Sequence, residues 1–127
     1  MDLISQRICM TKDIGVNGNM FGCVMLSIID EAAAVFACRA CDTLRMVTLK
    51  MTEVLFKKGV KSGMNLSIYG KIIKIGTTSI TLKIEVRKHS PRTGIQEVVC
   101  ETEMTFVHID EWDQAVPIQS KGKKRMI

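Results

Sequence analysis

The sequence predicts an α+β fold in which one curved antiparallel β-sheet wraps around a single long central helix. Three observations carry that expectation. From Phe21 or Gly22 to about Cys41 the chain has no proline and no glycine past its start, and "VMLSIIDEAAAVFACRAC" is apolar nearly all round. A helix of that kind is enclosed by other elements rather than laid on a surface. Beyond Asp42 the apolar period shortens to two, most clearly in Ile80, Leu82, Ile84 and Val86 set against Thr81, Lys83 and Glu85. The strands so marked are joined by short turns, which favours antiparallel neighbours. A sheet closed over one helix is the economical packing for that order of elements.

Taken in order, residues 3 to 11 read as a short strand and residues 12 to 19, with Gly15 and Gly18, as a loop. The helix follows. Val47, Leu49 and Met51 then alternate, and Val54 and Phe56 alternate in the other phase, so a bulge is expected near Thr52 and Glu53. Leu66 and Ile68 alternate, while Ile73 and Ile75 continue out of phase past Gly70. The strand containing Ile80 to Val86 leads through "HSPRTG", a hairpin connection, to a last strand marked by Val98, Cys100, Met104 and Phe106. An open sheet of this kind leaves edges unpaired, and pairing them across a two-fold axis predicts at least a dimer.

The totals narrow the function classes. The chain has 127 residues, 46% of them apolar and 24% charged, which is the composition of one globular domain. No apolar run reaches the roughly 18 residues that span a bilayer, and "MDLISQRICM" lacks the basic and apolar regions of a secretory signal. A cytoplasmic protein without membrane partners is expected. The five cysteines are an odd set without framework spacing, as in a reducing compartment. Cys38 and Cys41 make a CxxC, but no second pair or nearby histidine completes a zinc site, so they read as small buried side chains and no metal is expected. Lys121, Lys123, Lys124 and Arg125 supply four of the net +5 charges, leaving +1 for the rest. A basic, disordered tail at 119–127 therefore follows a single domain over 1–118, and nucleic acid is not an expected partner.

The segment "NGNMFGCVMLSIIDEAAA" raises the chemical question, because Asp30 and Glu31 sit within an apolar helix. A helix start presents unpaired amides and a partial positive charge, which can stabilise an oxyanion. The amides of Gly22 and Cys23 are the candidates for that role. Asp30 is expected to be enclosed with Ile28, Ile29 and Ala32, where an unpaired acid is rarely found without a purpose. Glu31 points about 100° further round and reads as a structural or interface acid. Asp30 lies more than two turns from Gly22, too far to share a reacting atom within one chain.

The element order, with "GNMFG" leading into "IIDEAAA", resembles the hotdog fold of the YciA-like acyl-CoA thioesterases. The residues that carry the resemblance are Gly18, Asn19, Phe21, Gly22, Asp30, Ala32 and Ala33, followed by Arg39, Val47, Thr48, Phe56 and the run Gly76 to Ser79. It extends from residue 3 to about 118. It implies hydrolysis of acyl-CoA at sites shared by two subunits, in a homo-oligomeric dimer assembled further into a trimer of dimers, with no cofactor beyond the coenzyme A of the substrate. By resemblance Asp30 is the general base or the nucleophile, and these remain open alternatives. Thr78 and Ser79 match hydroxyls that line the active-site or coenzyme groove. Arg39, Lys57, Lys58, Lys61, Arg87 and Lys88 are cations available to coenzyme A phosphates.

The chain departs from the family pattern in three places. Gly15 stands where an asparagine is usual, with Asn17 and Asn19 as partial substitutes; Cys23 replaces a glycine, and Thr77 a frequent arginine. The first two favour, as an alternative, a non-catalytic acyl-CoA-binding or regulatory module. A hotdog dehydratase is disfavoured because no histidine precedes His89.

Overall fold

The computed structural model describes residues 1–119. In chain order the elements are β1 (Asp2–Ile8), a 3-10 turn (Thr11–Asp13), α1 (Gly22–Cys41), β2 (Met46–Met51), β3 (Leu55–Phe56), β4 (Asn65–Ile75), β5 (Ser79–His89) and β6 (Gln96–His108). All strand pairs are antiparallel in the order β1-β4-β5-β6-β2, with β3 also on β6. One helix and one sheet make the expected α+β architecture. Apart from Gln119, the tail expected at 119–127 lies outside the described residues.

The core is the seam between α1 and the concave face of the sheet. Ile80, Leu82, Ile84 and Val86 of β5 are fully buried, as are Met104 and Phe106 of β6, and they meet Ile29, Ala33, Phe36, Ala37 and Ala40 of the helix. The alanines let helix and sheet approach closely. Gly70 does the same from β4: a Cβ there would lie 3.2 Å from Ile4 and Ile84 and 3.5 Å from the Phe36 ring. The helix ends where Asp42 turns left-handed (φ 55°) and donates its N–H to the Cys38 carbonyl.

The sheet corrects the readings of β2 and β6 and bears out the phase change in β4. The phase change after Met51 is a strand break, and the bulge sits earlier, where the register skips between Thr48 and Lys50. β2 and β3 remain on one partner because Thr52 donates N–H to the Glu103 carbonyl while Thr102 Oγ1 donates to the Thr52 carbonyl. β4 runs unbroken through Gly70, and its extra residue is Ile73. In β6 the register skips Val99, so Val99 and Cys100 are both buried and Val98 turns to the outer face beside Arg87. The carbonyl of Val99 is released to accept the amides of Lys57 and Lys58, at 2.8 and 3.3 Å.

The helix is not enclosed all round. Asp30, Glu31 and Val35 are exposed, Val35 at 52%, because one sheet covers only one side of a helix. The neighbouring edge is bare too, with Leu49 of β2 at 62% exposure.

Phe36 fills the curve of the sheet at Gly70, so truncating it leaves a cavity that the rigid strands cannot close. Phe36→Ala should destabilise the fold by about 3–5 kcal/mol, read as a lower midpoint in urea unfolding at unchanged slope.

Candidate active site

The start of α1 is positioned by a knotted loop. The buried Asp13 carboxylate accepts the Met10 amide at 2.9 Å and Arg7 Nη2 at 3.1 Å, and Lys12 Nζ lies 3.4 Å away. Its own carbonyl accepts the N–H of Phe21 at 3.0 Å, the residue just before the helix. One residue thus ties β1, the 3-10 turn and the helix entrance together. Gly15 N–H to the Asn19 carbonyl (2.8 Å) and Met20 N–H to the Val60 carbonyl (2.8 Å) close the loop further.

Two glycines make this knot possible. The Phe21 ring rests on Gly15, where a Cβ would come within 2.6 Å of it. Gly59 receives Asn19, whose Oδ1 would be 2.6 Å from a Cβ there. That Oδ1 is buried and has no hydrogen-bond partner among the described residues. Asn19 is therefore wedged between two loops, while Asn17 stands exposed at the loop tip beside Gly18 (φ 78°). The place of the missing asparagine is filled by an aromatic ring.

At the helix entrance the amides of Val24 and Met25 both reach the Phe21 carbonyl, at 3.1 Å each. The amides of Gly22 and Cys23 come before that first turn and meet no acceptor among the described residues, as two of the open donors of a helix start do. They are exposed, beside a cavity of about 340 Å³ lined by Met20, Gly22, Met25, Phe56, Lys57, Lys58, Gly59 and Val60. Donors, a positive helix end and flanking lysines suit this place to a carbonyl oxygen gaining negative charge.

Asp30 does not sit in the core as expected. It emerges on the uncovered side of α1, and Thr48 Oγ1 of β2 donates to its Oδ1 at 2.7 Å. The reason is geometric: the positions just before and two after it, Ile29 and Ala32, face the sheet, which turns residue 30 toward the edge strand. Eight residues separate it from Gly22, about 12 Å along the axis. The two halves of the chemistry are apart in one protomer.

The remaining candidates divide. Ser79 opens β5 opposite Val107, one position from the Ile80–Phe106–Thr48 row that underlies Asp30. Thr78 adjoins it, its carbonyl accepting the His108 amide at 2.8 Å. Lys58 lines the cavity at the helix start and pairs with Glu97 at 3.4 Å. Two cations lie elsewhere. Arg39 lines a separate cleft with Met1, Leu3 and Val35, against β1 and so across the sheet from Thr48. Arg87 is on the outer face, 4.0 Å over the Tyr69 ring, with Nε on Glu85 at 3.0 Å and Nη1 on Gln96 at 3.2 Å. Neither lines the cavity at Gly22 within the protomer. Period two in β5 turns Arg87 away from Val86, which is buried.

A family model described as the thioesterase superfamily matches residues 17–95, the stretch holding the helix entrance, Asp30 and Thr48. The chain belongs to the thioesterase superfamily. An uncharacterized acyl-CoA thioester hydrolase of Buchnera aphidicola is 33% identical over 115 residues, 88% of this chain and 84% of the relative. The acyl-CoA thioester hydrolase YciA of Salmonella typhimurium is 27% identical over 95% of this chain and 92% of its own. A hexameric thioesterase from Yersinia pestis superposes with a TM-score of 0.85 at 28% identity, covering 94% and 96% of the two chains. A hexameric hotdog-fold thioesterase of Campylobacter jejuni gives 0.82 at 30% identity, covering 97% and 94%. The fold of this thioesterase-superfamily chain is the hotdog fold.

Sequence reasoning gave no role to Asp13, and Thr48 entered only as a signpost of the resemblance. Asp13 has a local signal: an acid three residues after Met10, the spacing at which a side chain returns to a backbone amide at the start of a turn. Thr48 has none, since its contact spans 18 residues and depends on the fold. Cys38 and Cys41, read as small buried side chains, are free thiols at the helix end; burial is the main cause raising both above the usual thiol value.

Asp13 gives the site a pH signature. The Met10 amide, then Lys12 and Arg7, hold its carboxyl below the ordinary 3.8 against the opposing effect of burial. A lowered folded-state value means its stabilisation is complete above 3.8 and lost as pH falls through the folded value. Asp13→Asn should lower Tm at neutral pH and flatten the loss of Tm between about pH 5 and pH 2. An acid limb identical to wild type would show that Asp13 contributes nothing there.

Proposed function

We propose that this chain hydrolyses acyl-CoA thioesters to a carboxylic acid and coenzyme A, at sites shared between two copies of itself. One observation carries the reading: Asp30, held by Thr48, stands on the side of α1 that the sheet leaves bare, next to an unpaired edge strand. A second copy pairing along β2 would cover Val47 and Leu49 and set its helix entrance near Asp30. The hexameric state of the Yersinia and Campylobacter relatives supports a homo-oligomer here, a dimer assembled as a trimer of dimers.

The chemistry divides between the subunits. The amides of Gly22 and Cys23 bind the thioester oxygen and stabilise it as negative charge develops. Asp30 takes a proton from water as its oxygen attacks the carbonyl carbon, or attacks directly and is released by water in a second step. Collapse of the tetrahedral intermediate breaks the C–S bond, and coenzyme A leaves with the sulfur. Thr48 fixes the carboxylate through a short charge-assisted hydrogen bond. Water and these groups suffice, so the reading invokes neither metal nor organic cofactor, neither membrane nor nucleic acid, and places the enzyme in the cytoplasm.

Asp30→Asn should reduce thiol release from acyl-CoA by at least about 100-fold with the oligomer intact. Thr48→Val should lower kcat about tenfold with little change in KM, the loss of one hydrogen bond to a charged group. A specific observation favours a second reading, a non-catalytic acyl-CoA-binding module: the Phe21 ring occupies the space above Gly15. Tight acyl-CoA binding without turnover by the wild type would select it.

A further inference from the structure

The concave face of the sheet carries a charged patch where its apolar pattern leads one to expect core. Val86 of β5 points inward and is fully buried, and Lys88, two residues on, shares its face. Lys88 is paired across the ladder with Glu97 of β6. The Glu97 carboxylate is bridged by two lysines: Oε1 lies 3.1 Å from Lys88 Nζ and Oε2 lies 3.4 Å from Lys58 Nζ. One carboxylate is thereby shared by two ammonium groups drawn from different parts of the chain, which leaves the trio one positive charge in excess.

The position of this trio is informative. A Cβ on Gly22 would meet the Phe56 ring at 3.6 Å, Phe56 pairs with Cys100, and Glu97 is three residues further along β6, roughly 10 Å away. Since α1 runs toward the level of Thr48 and Phe106, Glu97 and its lysines lie off the positive end of the helix. Lys58 lines the cavity at Gly22, whereas Lys88 and Glu97 line a second one of about 320 Å³. Met64, Pro91 and Ile95 form apolar walls of that second cavity, with Ile95 68% exposed. A thioester at the helix entrance therefore has, along one direction, two cations and then an apolar recess.

We propose that Lys58 and Lys88 form the subsite for the phosphates of the coenzyme A nucleotide, that the recess beyond them takes its adenosine, and that Glu97 occupies both lysines until the nucleotide displaces it. The inference rests on the acyl-CoA reading above. A polyphosphate brings more charge and more acceptor oxygens than one carboxylate, so it wins the exchange, and neither lysine is left without an anion at any stage. A thioester without a nucleotide leaves the Glu97 bridges intact and gains nothing from the lysines. The arrangement selects the carrier, while the acyl group is selected elsewhere.

The test compares one acyl group carried on coenzyme A with the same group on pantetheine, by steady-state thiol release, together with calorimetric binding of coenzyme A itself. Lys88→Ala and Lys58→Ala should each raise KM for acyl-CoA about fivefold more than for acyl-pantetheine, the scale of one partly exposed ion pair. Glu97→Gln should move KM for acyl-CoA in the opposite direction, about threefold down, a gain that damage to the fold would not produce. Added salt should raise KM for acyl-CoA more than for acyl-pantetheine. Equal effects on both carriers, or an unchanged or raised KM in Glu97→Gln, would overturn the subsite and leave the hydrolase reading standing. If wild type turns over neither thioester, the hydrolase reading fails. Coenzyme A binding then decides: weakening by Lys88→Ala and tightening by Glu97→Gln support the subsite, and binding unaffected by either rejects it.

Discussion

A single helix against a single sheet is the constraint on which the rest of the molecule turns. The sheet buries Ile29, Ala33, Phe36 and Ala37 but leaves the opposite side of α1 without cover. That deficit decides where chemistry can reside. A carboxylate facing the sheet would have been sealed in hydrocarbon, and one facing away from the edge would have been bathed in bulk water. Asp30 is at the boundary, near enough to β2 to be held by Thr48 and still open on its other side. The deficit in burial and the availability of the acid have the same origin.

The helix entrance shows a different economy. Asp13 uses its side chain to gather the end of β1 and its main chain to fix Phe21, so the direction of the open amides is set by a residue that never approaches them. Around it, two tight contacts replace hydrogen bonds: the Phe21 ring over Gly15 and the Asn19 amide over Gly59. Each fits only because its partner lacks a Cβ. At Gly15 a side chain would meet the aromatic residue that stands next to the amides.

Much of the fold was legible in the sequence because it is written in period. The boundaries of α1 and the inward row of β5 follow from spacing alone. Bulges were harder. Leu49, Ile73 and Val99 are each one residue without a partner in the ladder, and the change of phase before Ile73 and Ile75 announces the second of them, while nothing local announces the other two. The skip at Val99 is instead imposed from outside, by loop amides of Lys57 and Lys58 that need its carbonyl. The site was half legible. Gly22, Cys23 and Asp30 carry their chemistry in a short segment, whereas the charge of Arg87 does not say that it stands on the outer face of the sheet, over Tyr69. The Glu97 bridge to Lys58 and Lys88 joins three residues from distant parts of the chain, and only the register of β5 and β6 assembles it.

The sheet order also governs the sequence of events in folding. β1 precedes the other described strands in the chain, yet its partner among the described residues is β4, more than 50 residues later. Contacts β4·β5 and β5·β6 close through short turns, so a three-stranded meander can assemble while β1 and the helix are still waiting for a surface. During synthesis the apolar side of α1 emerges before any of the strands that bury it. The nascent chain therefore passes through an interval in which a sticky helix and an unpaired strand coexist, and the time that β4 to β6 take to leave the ribosome sets how long that interval lasts.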